Sequence, residues 1–141
     1  MKKPLDVIVF GASGFTGRLV AENLNARYGV AGAVEWAIAG RNAAKLAEVR
    51  DLIGADKTLP LMIADASDAA SLARLVPQAR VVISTVGPYQ LHGRPLVSAC
   101  ARAGTDYVDL CGEPLWMAQM IALLEAPARA SGARIVFSCG F

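Results

Sequence analysis

The sequence predicts an α/β fold: a doubly wound parallel sheet of six strands in the order 3-2-1-4-5-6, with helices on both faces. Three observations carry this. A β-branched run, Leu5–Phe10 (LDVIVF), empties directly into glycines spaced three apart, Gly11, Gly14 and Gly17. Beyond them, short apolar runs alternate with stretches of helical spacing, with no long linker, internal repeat or low-complexity tract. Composition agrees: 55% of residues are hydrophobic and mean hydropathy is +0.42, as expected where strands are covered on both faces. A chain of 141 residues is one domain.

The elements follow in order. After the first strand, a helix is predicted from Thr16 to Tyr28, then a second strand over Val34–Ala39 (VEWAIA). The next helix, Ala43–Leu52, places Ala43, Leu46, Ala47 and Val49 at helical spacing. A third strand covers Leu59–Ala64. Ser67 then suits the N-cap of a short helix that Pro77 closes. The fourth strand is Val81–Ser84, and Gly87-Pro88 marks a loop. A helix over Pro95–Ala103 ends at Gly104, a C-cap residue, and the fifth strand is Asp106–Leu110. Pro114 fits the first turn of the helix that follows, and Pro127 is expected to kink or split it. The sixth strand is Arg134–Ser138.

A net charge of +2 with acids and bases interspersed leaves no basic stripe and excludes nucleic acid as the expected partner. Leu115–Leu124, the most apolar helix-like stretch, is too short to span a bilayer and carries Gln119. The opening KKPLDVIVF superficially resembles a signal peptide, but Asp6 and the glycines end its apolar run early. Cys100, Cys111 and Cys139 are odd in number and lack metal-ligand spacing. They suit a reducing cytoplasm, the expected location, and no metal site is predicted.

The glycine turn is the signature of a dinucleotide-binding (Rossmann) domain. Its glycines remove side chains where backbone must turn tightly, approach phosphate oxygens or pack helix against strand, while free N–H groups of the helix start face the anion. The second strand leads into Ala39-Gly40-Arg41-Asn42, where such a fold meets the adenosine ribose. An NAD enzyme usually places an acid there. Here none occurs between Glu35 and Glu48, and Arg41 takes the position. Its guanidinium suits a 2′-phosphate, with Lys45 one turn on, so NADP(H) is expected rather than NAD. The bland alternative is that Arg41 starts a helix with a solvated side chain. Asp65 suits the adenine amino group and equally suits a loop or cap. In Ser84–Pro88 (STVGP) small residues let backbone approach the cofactor, or serve as ordinary turn chemistry.

The segments GASGFTGRLVAENL, AIAGRN, VVISTVGPYQLHGRPLVSAC, AGTDYVDLCGEP and SGARIVFSCGF together resemble the saccharopine dehydrogenase-like oxidoreductases, in matching order over nearly the whole chain. The branch they look most like is the trans-acting enoyl reductases of polyketide-derived lipid intermediates. The resemblance implies an NADP-binding domain followed by a mixed α/β domain for substrate binding and dimerisation, so this sequence is expected to be the N-terminal part of a longer protein, a homodimer in full. By matching position it implies cofactor contacts at Gly11, Ser13, Gly14, Phe15, Thr16, Arg41, Gly87 and Pro88. The implied activity is hydride transfer between nicotinamide and a carbon substrate, small or carrier-bound. A non-catalytic NADP-sensing module that regulates a partner protein is the alternative.

A short-chain dehydrogenase would carry a Tyr-x-x-x-Lys pair. The lysines here are Lys2, Lys3, Lys45 and Lys57, so neither Tyr89 nor Tyr107 has that partner. No catalytic residue is assigned. In the loop GPYQLHG, Tyr89 is expected to pack against cofactor, and His92 is either a nicotinamide-side group or structural. Asp109 and Glu113 suit substrate or nicotinamide binding, or capping of the helix at Pro114, with capping preferred for Glu113. Cys111 and Cys139 have no basic neighbour in sequence to activate them. Trp116, Met117 and Met120 form an apolar stripe expected in the core.

Overall fold

The computed structural model describes residues 2–140. Leu5–Phe10 forms β1, paired in parallel with β2 (Trp36–Gly40) on one side and β4 (Ala79–Ser84) on the other. β3 (Leu61–Ile63) lies outside β2, while β5 (Asp106–Asp109) and β6 (Ile135–Val136) continue beyond β4. The resulting order, β3-β2-β1-β4-β5-β6 with every pair parallel, is the one the sequence predicts.

Each central strand feeds two cores by alternation. Ile8 and Phe10 face a cluster completed by α3 (Ala69–Leu75), α5 (Arg94–Ala103) and α6 (Pro114–Ser131), with Leu72, Leu96, Val97, Trp116 and Met120 at its centre. Val9, Trp36 and Ile38 face the other cluster, closed by α1 (Phe15–Tyr28) and α2 (Ala43–Leu52) through Ala21, Leu46 and Val49. This is why the strands read as unbroken apolar runs: side chains point alternately to two buried faces. Among the described residues, no helix is long and apolar enough to cross a membrane.

Several boundaries differ from the sequence reading. The second strand begins at Trp36 rather than Val34, because the Glu35 backbone is engaged by Asp6: its N–H donates to the Asp6 carboxylate and its carbonyl accepts from Asp6. The two edge strands shrink to Leu61–Ile63 and Ile135–Val136, each having a partner on one side only. β4 starts early, at Ala79, where Leu5 pairs with it, and β5 ends at Asp109. The short helix is capped by Asp68, whose carboxylate accepts from the Ala70 N–H at 3.1 Å. Ser67 is no cap, since its hydroxyl and N–H are spent on Asp65. Pro77 sits in a single 3₁₀ turn, Val76–Gln78, that ends this helix.

A four-residue helix, α4 (Tyr89–His92), occupies the loop after β4, and the next helix starts at Arg94. It ends at Gly104 in the left-handed conformation, φ 71°, as expected of a C-cap glycine. α6 runs unbroken through Pro127. The carbonyl that Pro127 leaves without an N–H belongs to Leu123, an exposed position where water can satisfy it, so the proline does not split the helix.

The tightest contact in the fold is between α1 and the turn before it. A Cβ on the buried Gly17 would lie 2.1 Å from the Gly11 carbonyl oxygen and 2.8 Å from the Ala12 Cα. Because backbone cannot give way as a flexible side chain can, Gly17→Ala is expected to destabilise the chain by about 2 kcal/mol or more. Urea denaturation followed by circular dichroism reads this directly; a wild-type midpoint would contradict the packing.

Candidate functional site

The site is built at the carboxyl edge of the sheet, where β1 gives way to α1 between the ends of β2 and β4. Gly11 turns the chain at φ +87°, a conformation that side chains disfavour, and a Cβ there would also fall 2.6 Å from Val86 Cγ2. The turn is held from both sides. Gly11 and Ala12 donate their N–H groups to the Ala39 carbonyl at 3.0 and 3.2 Å. From β4, the Thr85 hydroxyl donates to the carbonyls of Phe10 at 2.9 Å and Gly11 at 3.2 Å.

That leaves the start of α1 open. Gly14 is its N-cap residue and supplies no side-chain cap, and the first turn carries no acid. Among the described residues, the N–H groups of Ser13, Phe15 and Thr16 have no acceptor. A Cβ on Gly14 would meet only the Gly11 carbonyl oxygen, at 3.4 Å, so the chain's own packing does not require glycine there. The empty space on the Gly14 side, the unsatisfied amides and the positive end of a 14-residue helix are what an anion needs.

A cleft of about 400 Å³ opens beside this turn, lined by Gly11, Ser13, Gly14, Gly40, Arg41, Asp65, Thr85, Gly87 and His92 among others. Asn42 caps α2 by accepting the Lys45 N–H at 3.1 Å, which leaves Arg41 outside the helix, on the cleft wall. Among the described residues, Arg41 makes no ion pair or hydrogen bond to a protein group. Asp65 accepts from the Ser67 N–H at 2.8 Å and hydroxyl at 2.7 Å. Those bonds hold its carboxyl below the usual carboxylate range, with the Arg41 charge adding to them. It is thus a loop-building residue that also faces the cleft.

The remaining expected contacts lie elsewhere. Phe15 and Thr16 are exposed and do not line the cleft, though their N–H groups have no acceptor among the described residues, while Gly17 is buried beneath the turn. Pro88 follows a cis Gly87–Pro88 peptide and is the N-cap residue of α4, off the cleft wall. Tyr89 is buried, not on the cleft. Its hydroxyl donates to the Ser84 carbonyl at 3.0 Å and accepts the Leu110 N–H at 3.2 Å, and its ring packs on Trp116 at 5.5 Å. Burial pushes its phenol up to about 12, so it stays neutral and structural.

Glu113 stands at the N-cap position of α6, as expected, but its side chain makes no cap bond there. Its carboxylate reaches across to α4, accepting from the N–H groups of Tyr89 at 2.7 Å and Gln90 at 3.0 Å. Asp109 is buried and accepts from the Tyr107 hydroxyl at 2.7 Å and from the amides of Cys111 and Ser138, both at 3.0 Å. Three donors leave it a structural role. Cys111 is buried, and burial raises its thiol, whereas Cys139 is exposed. Trp116 and Met120 are core residues. Among the cleft-lining residues that the sequence reading left out of the contact set are Thr85, whose signal was a hydroxyl closing the strand beside the turn, and His92.

Residues 7–136 match the family model of the saccharopine dehydrogenase NADP binding domain, and the chain belongs to that family. Its cofactor is NADP(H), in keeping with Arg41 where an NAD domain carries an acid. Among curated relatives, the chain is 45% identical over 141 residues to a trans-acting enoyl reductase of Mycobacterium leprae and 43% identical over 141 residues to one of Mycobacterium bovis. Each match covers 99% of this chain and 33% of the relative, so the chain spans about a third of their length. Among solved structures, saccharopine dehydrogenase (L-Glu forming) of Saccharomyces cerevisiae superposes with a TM-score of 0.74 at 22% identity, covering 96% of this chain and 27% of that one. The triphenylmethane reductase of Citrobacter sp. gives a TM-score of 0.65 at 22% identity, over 94% of this chain and 48% of that one. These two show the shared fold.

Because the chain's own packing leaves the Gly14 side open, Gly14→Ala separates binding from stability. The substitution is expected to weaken NADPH binding by about tenfold, or roughly 1.4 kcal/mol, while lowering stability by about 1 kcal/mol at most, because alanine is a poorer N-cap residue than glycine. Calorimetric titration beside a thermal melt measures both; unchanged affinity would show that phosphate does not approach that backbone.

Proposed function

We propose that the chain is the cofactor-binding part of an NADP(H)-dependent enoyl reductase whose substrate is an α,β-unsaturated thioester or lipid intermediate, held by a further α/β domain of the same polypeptide. One observation carries the cofactor half of this reading: Arg41, free of protein partners among the described residues, stands on the same cleft as the uncapped start of α1. The enoyl-reductase half is supported by the trans-acting enoyl reductases that match the chain along 99% of its length.

In this reading the N–H groups of Ser13, Phe15 and Thr16 hold the pyrophosphate, and the absent side chain at Gly14 lets it approach. The Arg41 guanidinium takes the 2′-phosphate with paired hydrogen bonds, and Lys45, in the first turn of α2, adds positive charge. In the same reading Asp65 serves the adenine end and Gly87 the nicotinamide end, and both line the cleft. Bound NADPH supplies a hydride to the substrate carbon. The chain's contribution is to bind and orient: Tyr89 remains protonated inside the fold, and no Tyr-x-x-x-Lys pair exists to move a proton. The 141 residues alone are expected to turn over negligibly.

Arg41→Ala tests the cofactor assignment. NADPH affinity should fall by at least about tenfold, roughly 1.4 kcal/mol, with NADH affinity nearly unchanged, in paired calorimetric titrations. Equal losses for the two cofactors would refute the phosphate role of this side chain.

A further inference from the structure

We infer that Glu113 is a positioning residue for the nicotinamide half of the cofactor, acting by gripping the first two amides of α4 and so fixing the Gly87–His92 segment as one wall of the cleft. The inference rests on the cofactor reading above.

The geometry is specific. Oε2 of Glu113 accepts from the Tyr89 N–H at 2.7 Å and Oε1 from the Gln90 N–H at 3.0 Å, so each oxygen serves one of two successive amides. Hydrogen bonds to a carboxylate are stronger than those between neutral groups, and these join segments 24 and 23 residues apart in sequence. A four-residue helix has too few internal bonds to stand alone and depends on what it is docked to. α4 is docked inward through Tyr89, which is buried, while Gln90, Leu91 and His92 are exposed. Glu113 holds its first amides, the Tyr89 hydroxyl links Ser84 to Leu110, and the Tyr89 ring lies on Trp116. At its far end Gly93 is pressed so close to the Trp116 indole that a Cβ would sit 2.6 Å from the ring.

The other side of the segment is free, and it carries Gly87 and His92 on the cleft. Arg41 and Asp65 mark the adenosine side, at the ends of β2 and β3. In a doubly wound sheet the dinucleotide lies across the switch point between β1 and β4, so its second half extends toward the ends of β4 and β5. That is where the Gly87–His92 wall stands. Glu113 itself does not line the cleft; it works through α4. The chemistry needs a carboxylate, because both partners are donors: a carboxamide keeps one acceptor but turns an NH₂ group toward the second amide.

The test compares NADPH with 2′,5′-ADP, which carries the adenosine and 2′-phosphate groups without nicotinamide. Both are titrated into wild type, Glu113→Ala and Glu113→Gln. Expected is a loss of NADPH affinity of about fivefold or more in Glu113→Ala and a smaller loss in Glu113→Gln, with 2′,5′-ADP held within about twofold throughout. A merely structural role would weaken both ligands together, and that parallel loss would overturn the proposal, as would variants that bind NADPH like wild type. If Glu113→Ala does not fold, the near-isosteric Glu113→Gln carries the same comparison. A wild-type chain that binds neither ligand overturns the cofactor reading and the proposal with it. Wild-type binding of both with no split in the variants overturns the proposal alone.

Discussion

The rest of the structure depends on how closely the backbone of α1 approaches the end of β1. With hydrogen as the side chain of Gly17, the helix comes down onto the Gly11 carbonyl. This approach points the first amides of α1 out over the sheet edge, where no protein group meets them among the described residues. The tight turn at Gly11, its bonds to Ala39 and its bridging by Thr85 all stabilise that one placement. Strand β1 is central, flanked by β2 and β4, so the turn inherits the rigidity of the whole sheet. A cleft on such a foundation is largely pre-formed, which limits the conformational cost of binding a long, flexible dinucleotide.

The two halves of the sheet edge solve their polar problem differently. On the β1–β2 side, backbone amides and Arg41 are left without protein partners among the described residues, a state tolerable only because water or an anion can reach them. On the β4–β5–β6 side the reverse holds. Tyr89, Asp109, Glu113 and Ser138 tie the strand ends to one another, and each carboxylate there accepts two or three protein hydrogen bonds. Tyr89 and Asp109 are buried as well, and such groups rigidify only when satisfied, which theirs are. One side is reserved for a ligand, the other for holding the wall opposite it.

Much of this was legible in the sequence because it rests on local pattern. The strand order follows from a glycine turn that ends an apolar strand, and from alternation that admits few topologies. That Gly11, Gly14 and Arg41 would share one cleft could be read from spacing, since the turn fixes where the second strand must end. What escaped was set by contacts distant in sequence. Glu113 precedes Pro114 and reads as a cap of the helix it adjoins, yet its carboxylate turns to amides more than twenty residues away. Tyr89 sits in a cofactor-like loop, yet its ring is drawn inward by Trp116 and by the Ser84 and Leu110 backbone. Ser67 lost the cap to its neighbour because Asp65 had already claimed its hydroxyl and amide. Strand ends were overextended where an edge supplied only one partner, a fact of the sheet and not of the segment.

Net charge is a poor guide to such a site. The chain carries only +2, and Asp65 lines the same cleft as Arg41, yet the cleft is suited to a ligand bearing several negative charges. The resolution lies in where charge is tied down. The Ser67 N–H and hydroxyl both bind Oδ1 of Asp65 and fix its charged carboxylate on the loop, while among the described residues the Arg41 guanidinium has no protein partner. Partial charges on the α1 amides add a fixed positive field that no residue count registers. Affinity for an anion is thus decided by which donors the fold leaves without a partner, and here the fold leaves them on one side of one turn.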